Sequence, residues 1–469
     1  MAGRTRQKLE RGVLVSGVVD RLHTDGRGVM TALNGAGDER EVLVRGAWPG
    51  DEIDAQIRTR RKGRFEAETV AVIRTQATRR RPLCLHVGEC GGCRWQHWEH
   101  AAQLEQKRRL VEHAFADEMP EREPEIRDTL RVSDEFAYRN KMEFTFGRVK
   151  FGPDAGRLVL GLHRSGRFDW VFDVAYCHLA SDMVNRVVWW VRDWAIRHGL
   201  TPYDQRRHDG LLRHLVVREA YATGEVMVNL VAARDDFAAL DDFADGLVQA
   251  APSVVSVLVS VNTRRGDTAI AERTRVLAGK PTITERVGGI EIEVSPESFV
   301  QTNTVGAAHL YDLAAERADL TGAERVLDLY CGTGLIGLWV RNRAREVVGV
   351  ESVPEAIADA ERLRDRLNAE SVRFVTRLAE DVLPQWTASG ERFDVAFVDP
   401  PRMGMHPKAL TALAELAPSR IVYVSCNPRS LARDVATLTD AGYVSSAVQP
   451  VDMFPQTAHV ECVMALDRA

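Results

Sequence analysis

The chain has 469 residues, 45% of them hydrophobic and 28% charged, with a formal net charge of -5. At ~150 residues per domain this length calls for about three domains. Its apolar runs are short and broken by charges, which excludes a span of ~20 apolar residues. Basic residues in MAGRTRQKLERG have no apolar stretch behind them, so no secretory signal is expected and the cytoplasm is the expected location. The slight acidity excludes a globally basic nucleic-acid binder. Two local runs remain, Arg58–Arg64 and Arg79–Arg81, each readable as a solvated loop or as a phosphate-facing track.

From Val13 to Ile73 the sequence alternates apolar and polar residues in short segments separated by Gly and Asp turns. Five short strands predict a small Greek-key barrel of the OB type, a shape that often binds oligonucleotides. Next come Cys84, Cys90 and Cys93, clustered, with Cys177, Cys331, Cys426 and Cys462 scattered beyond. In a reducing compartment such a cluster points to a metal site before a disulfide set. Spacing predicts a helix over His97 to Ala116. From Phe136 to Glu285 strands (KMEFTFG, LVLGLHR, EVMVNLVAA) mix with an amphipathic helix, SDMVNRVVWWVRDWAIRHG.

Beyond Ser298 apolar runs alternate with helical segments: RVLDLY, EVVGVE, VRFVT, FDVAFVDP and IVYVSC, with GLIGLWVRNRA, PEAIADAERLRDRLN and SLARDVATLTDAG between. This alternation predicts a parallel sheet covered by helices, with sites at the carboxyl ends of its strands. Four ends carry chemistry. The first runs Asp328-Leu329-Tyr330-Cys331-Gly332-Thr333-Gly334, and the second strand closes on Glu351. A Gly turn lets a ligand approach the backbone, and an acid there accepts from ribose hydroxyls. The DxxCGxG form favours S-adenosylmethionine (SAM) over NAD.

A further strand ends in Asp399-Pro400-Pro401-Arg402. Two fixed φ angles make either a rigid shelf for a flat base or a plain turn. Amino-directed methylases usually place an aromatic after the prolines, where this chain has Arg402. Cytosine-C5 RNA methylases place a cysteine near the shelf, and none stands there. The last end is Val424-Ser425-Cys426-Asn427-Pro428, where Cys426 is either a nucleophile facing the cleft or a buried small hydrophobe. Uracil C5 needs a thiolate on C6 to become nucleophilic and a base to take its proton. Glu461 opens the final strand and reads equally as that base or as a surface glutamate.

As a set, SFVQTN, VLDLYCGTG, VDPPR, YVSCNP and DMFPQTAHVE resemble the bacterial RNA uracil-5-methyltransferases that act on 23S rRNA and on tRNA; so do YRNKMEF and the Cys84-x5-Cys90-x2-Cys93 run with Cys177. The resemblance implies a multidomain α/β chain: an OB-like TRAM barrel over 1–75, a central RNA-binding α+β domain with an iron–sulfur site over 76–294, and a Rossmann-like SAM methyltransferase domain over 295–469. It implies Cys426 as nucleophile and Glu461 as base. Gln301, Tyr330, Glu351 and Asp399 match SAM-contacting positions. Cys84, Cys90, Cys93 and Cys177 match ligands of a [4Fe–4S] cluster, where spacing alone leaves zinc and iron–sulfur equal. Cys331 and Cys462 match no functional position and are expected to pack. The implied partner is RNA, 23S rRNA ahead of tRNA, with Arg58–Arg64, Arg79–Arg81, Arg139 and Lys141 on its phosphates. No membrane and no obligate protein partner is expected. An iron–sulfur RNA-binding protein without methylase activity and an amino-directed methylase remain as alternatives.

Overall fold

The computed structural model describes residues 9–34, 36–61, 64–75, 79–167, 169–266 and 268–469. Strands β1 (Leu14–Leu22), β2 (Gly28–Leu33), β3 (Glu39–Arg45), β4 (Glu52–Arg61) and β5 (Arg64–Arg74) close into a barrel of order β1-β2-β3-β5-β4. Every second residue of β4 turns inward: Ile53, Ala55 and Ile57 are buried with Val19, Met30, Val42 and Val44. Helix α1 (His100–Glu118) follows the Cys-rich loop, starting and ending a few residues later than expected.

The second unit is a seven-stranded sheet built from β7 (Lys141–Arg148), β8 (Leu158–His163), β9 (Val171–Asp173), β10 (Leu212–Glu219), β11 (Val226–Ala232), β12 (Val254–Val261) and β13 (Arg273–Gly279). Two helices pack on it, α2 (Asp182–Arg197) and α3 (Ala239–Ala250). In α2 the buried Val184, Val187, Val188, Val191, Trp194 and Ala195 recur at helical spacing, and the Ser181 hydroxyl caps the helix by accepting from the Val184 N–H at 3.2 Å. A hairpin of β14 (Ile283–Val287) and β15 (Ile290–Val294) leads into α4 (Thr304–Ala318).

The last sheet holds β16 (Arg325–Leu329), β17 (Glu346–Glu351), β18 (Val372–Thr376), β19 (Val395–Val398), β20 (Arg420–Ser425), β21 (Tyr443–Ser445), β22 (Gln449–Asp452) and β23 (Glu461–Arg468). Helices α5 (Leu335–Trp339), α6 (Pro354–Arg366), α7 (Ala379–Ser389), α8 (Pro407–Leu416) and α9 (Pro428–Asp440) connect them. Its order is β18-β17-β16-β19-β20-β23-β22, with the short β6 (Leu130–Arg131) beside β22. The first five strands run parallel and β23 runs antiparallel to β20. Strand order reverses between β16 and β19, the place where such sheets open a crevice. Two findings depart from the sequence reading. Segment GLIGLWVRNRA keeps only one short helix, because Val340 ends it and Arg345 and Glu346 turn back to bond the Glu324 carbonyl. Helices α7 and α8 are not among the segments read as helices: α7 holds Pro384 within it, while α8 buries Ala409, Leu410, Ala412, Leu413 and Leu416 at helical spacing.

Candidate active site

At the reversal point a cavity of about 1830 Å³ opens, walled by Gln301, Tyr330, Glu351, Asp399, Cys426 and Glu461 among others. All six side chains singled out from sequence for the cofactor and the chemistry therefore share one space. The Gly turn after β16 is shaped by sterics. Gly334 has φ +75°, and a Cβ there would lie 2.5 Å from the Phe374 ring, so no other residue fits without displacement. Asp328 accepts from the Gly337 N–H at 2.8 Å, pinning α5 to the strand, while its second oxygen is buried without a hydrogen-bond partner. Burial raises this carboxyl to about 7. Glu351 accepts from the Val353 N–H at 3.0 Å and the Gly332 N–H at 3.2 Å, fixing it at the rim of the turn.

The reacting end is set by strand register. Ser425 of β20 pairs with Cys462 of β23 in antiparallel fashion, so the next residues outward, Cys426 and Glu461, come face to face. Burial pushes Glu461 up to about 8; Asp399 adds to the rise, while Arg402 and Lys107 oppose it. Burial also lifts Asp399 to about 7. The Cys426 thiol is raised by burial and by Glu461, and Arg402, within hydrogen-bond reach of it, pulls the other way. Arg402 is thus the cation that favours a thiolate here. Sequence reasoning noted it only as the residue that is not aromatic; its position next to the prolines was the available signal. Asn427 joins the two loops: its amide donates to the Arg402 carbonyl at 2.7 Å, and its side-chain oxygen caps α9. The Asp399–Pro401 shelf and the Cys426 loop are in this way one rigid piece.

Segment YRNKMEF acquires a physical role. The Asn140 amide donates to the Gln301 carbonyl at 2.9 Å and to the Thr304 hydroxyl at 2.8 Å. The Tyr138 hydroxyl donates to the Pro455 carbonyl at 3.1 Å. One short stretch of the central unit therefore holds both the Gln301 loop and the loop that precedes Glu461. Cys462 is buried in the core, and the Cys331 thiol packs under Gly349, where a Cβ would stand 2.9 Å from its sulfur.

Cys84, Cys90, Cys93 and Cys177 line a second cavity, of about 510 Å³. Their thiols bear on one another: burial raises Cys93 to about 12, and the charges of Cys177, Cys90 and Cys84 add to this. N–H groups point at two of the sulfurs, His86 at Cys84 and Gly92 at Cys90, both 3.4 Å. Asn185 holds Cys177 through the Cys177 N–H at 2.7 Å. Among the described residues no three His, Cys, Asp or Glu side chains are grouped tightly enough for one metal ion. The four cysteines thus face one cavity, and two of their sulfurs accept N–H groups of the same loop.

The basic runs divide. Arg79 pairs with the fully buried Asp51, and Arg80 pairs with Glu135 and reaches Gln456, so both brace the interior, while Arg81 is exposed. Arg58 pairs with Glu68 at the surface, and Lys62 and Gly63 lie outside the described residues. Arg139 and Lys141 border the cysteine cavity. Among the described residues no helix is long and apolar enough to cross a membrane.

A Gly turn, a rim acid and an Asp-Pro-Pro turn at the switch point of a parallel sheet are the features of a methyltransferase-type α/β domain. Comparison with known proteins agrees. The family model of tRNA (uracil-5-)-methyltransferases matches residues 258–469. An uncharacterized RNA methyltransferase of Bacillus cereus is 37% identical over 462 residues, 98% of each chain. Another, from Chlorobaculum tepidum, is 37% identical over 446 residues, 91% of this chain and 92% of that one. The crystal structure of Pyrococcus abyssi tRNA (uracil-54, C5)-methyltransferase in complex with S-adenosyl-L-homocysteine superposes with a TM-score of 0.75 at 28% identity, covering 96% of this chain and 100% of that one. The chain belongs to the RNA (uracil-5-)methyltransferase family, and RNA is its class of substrate.

Proposed function

We propose that this enzyme transfers a methyl group from SAM to C5 of one uridine in 23S rRNA, with Cys426 as nucleophile and Glu461 as base. The observation that carries the reading is the β20–β23 register, which sets Cys426 against Glu461 beside the Asp399–Pro401 shelf. Gln301, Tyr330, Glu351 and Asp399 would hold SAM, and the Asp399 carboxyl, which burial lifts, stands in the cavity wall and suits a cationic ligand. Bound there, SAM supplies an electrophilic methyl group. The chain's own groups do the rest. Arg402 stabilises the Cys426 thiolate, which adds to C6 and makes C5 nucleophilic. Once C5 carries the methyl, Glu461 takes its proton, the C5=C6 bond re-forms and Cys426 leaves. The base must be unstacked to reach the shelf, so the target is a loop or a refolded single strand.

The division 1–75, 76–294 and 295–469 goes with this reading, the closed barrel acting as a TRAM domain in a cytoplasmic enzyme. The four cysteines would hold a [4Fe–4S] cluster with a structural or RNA-positioning part, since methyl transfer needs no electron. Brown protein with iron and sulfide after anaerobic purification supports this; colourless protein with stoichiometric zinc refutes it. A tRNA target is the second reading, favoured by the Pyrococcus abyssi tRNA enzyme, whose fold covers 96% of the chain and thus most of the barrel as well. Methyl transfer to 23S and tRNA transcripts, with the product nucleoside mapped by mass spectrometry, separates the two. 5-Methyluridine in 23S rRNA alone confirms the first, in tRNA alone the second, and its absence from both overturns the enzyme's proposed target class.

A further inference from the structure

The β7–β8 hairpin and the loop before β9 build a patch that the methylation cavity does not use. Phe151, at the hairpin tip, is 71% exposed and meets the half-buried Trp170 edge-on, ring centroids 5.4 Å apart. Cations surround the indole: Arg164 lies 4.1 Å from its ring centre, Arg167 5.6 Å and Lys150 5.7 Å. Lys150, Arg167 and Arg206 converge on Asp169, and Arg164 pairs with Glu89. Four cations therefore share two carboxylates, and Arg206 keeps most of its surface in water. The patch is tied to its neighbours. Arg45 of the barrel donates to the Ser165 hydroxyl at 2.8 Å, and Arg164 bridges to Cys90. The cysteine cavity beside it also contains His459, two residues before Glu461.

An exposed phenylalanine set edge-on against a half-buried tryptophan, with a surplus of guanidinium groups, has the chemistry of a single-stranded nucleic-acid site. Flat rings accept bases of any identity, and the cations take the phosphates on either side. We propose that Phe151, Trp170, Lys150, Arg164, Arg167 and Arg206 form a second RNA contact, which stacks an unpaired base of the substrate strand away from the methylated uridine. RNA held there continues past the cysteine loop toward Glu461 and past Arg45 toward the barrel. This rests on RNA as the substrate class and not on the roles given to Cys426 and Glu461.

The test is equilibrium binding of the full chain to an oligouridylate of roughly ten nucleotides, the scale of one single-strand site. Phe151→Ala and Arg206→Ala remove exposed groups, and their thermal midpoints verify folding. Phe151→Ala is expected to weaken binding by at least about fivefold, the low end for one stacked base. Arg206→Ala is expected to flatten the dependence of log affinity on log salt by about 0.7, the loss of one single-strand phosphate contact. Both variants are expected to raise the KM for a long transcript. Unchanged oligouridylate affinity and salt slope in both folded variants overturn the proposal. So does polyglutamate displacing the oligonucleotide from wild type and Phe151→Ala equally well, which would reduce the patch to non-specific charge.

Discussion

Replacing Lys107 by methionine tests how the first half of the chain grips the catalytic strand. Lys107 projects from α1 and is fully buried; its ammonium pairs with the equally buried Asp452 and donates to the Phe454 carbonyl at 3.0 Å. The other Asp452 oxygen contacts His100 at 2.7 Å. Removing one partner of a buried ion pair costs about 3–5 kcal/mol, because the other charge is left without compensation. His100 still faces Asp452, which places Lys107→Met at the lower end, about 3 kcal/mol. For a domain the size of the C-terminal unit this lowers the thermal midpoint by about 6–12 °C. Adding Asp452→Asn removes the stranded charge, and much of the loss is expected to return. The same lysine is one of two cations that hold Glu461 down, so in Lys107→Met the rising limb of activity against pH moves to higher pH. A single variant within about 1 kcal/mol of wild type, with an unmoved pH profile, would refute the reasoning.

RNA carrying 5-fluorouridine at the target is expected to give a stable covalent adduct with wild type and none with Cys426→Ala, read on a denaturing gel. Glu461→Gln is expected to accumulate the adduct on ordinary RNA, and normal turnover of that variant would remove Glu461 from the mechanism. Asp328, Asp399 and Glu461 are raised to about 7, 7 and 8. A carboxyl raised on folding stabilises fully below its unfolded value of about 4, and that contribution is lost as pH rises through the folded value. The thermal midpoint of ligand-free enzyme is therefore expected to fall from mildly acidic pH to pH above 8, less steeply in Glu461→Gln. Arg402→Ala is expected to slow alkylation of the Cys426 peptide at neutral pH, measured by mass spectrometry, since the thiol loses the cation that lowers it.

Much of the C-terminal sheet was legible because its strands are buried on both faces and so read as unbroken apolar runs, while the Gly turn, the double proline and Cys426 fall where those runs end. A five-strand barrel was legible from period-two alternation, and the structure shows that it closes. What sequence left equal, tertiary structure decided. Glu461 reads equally as a base or as a surface glutamate; pairing of β23 with β20 buries it, and register is a property of two strands, not of one. Arg79 and Arg80 read as a solvated loop or a phosphate-facing track, but Asp51 and Glu135, distant in sequence, draw them inward. Lys107 and Asp452 stand 345 residues apart, and no local pattern marks either as buried. Local chemistry named the groups able to react; long-range pairing alone determined which of them face each other.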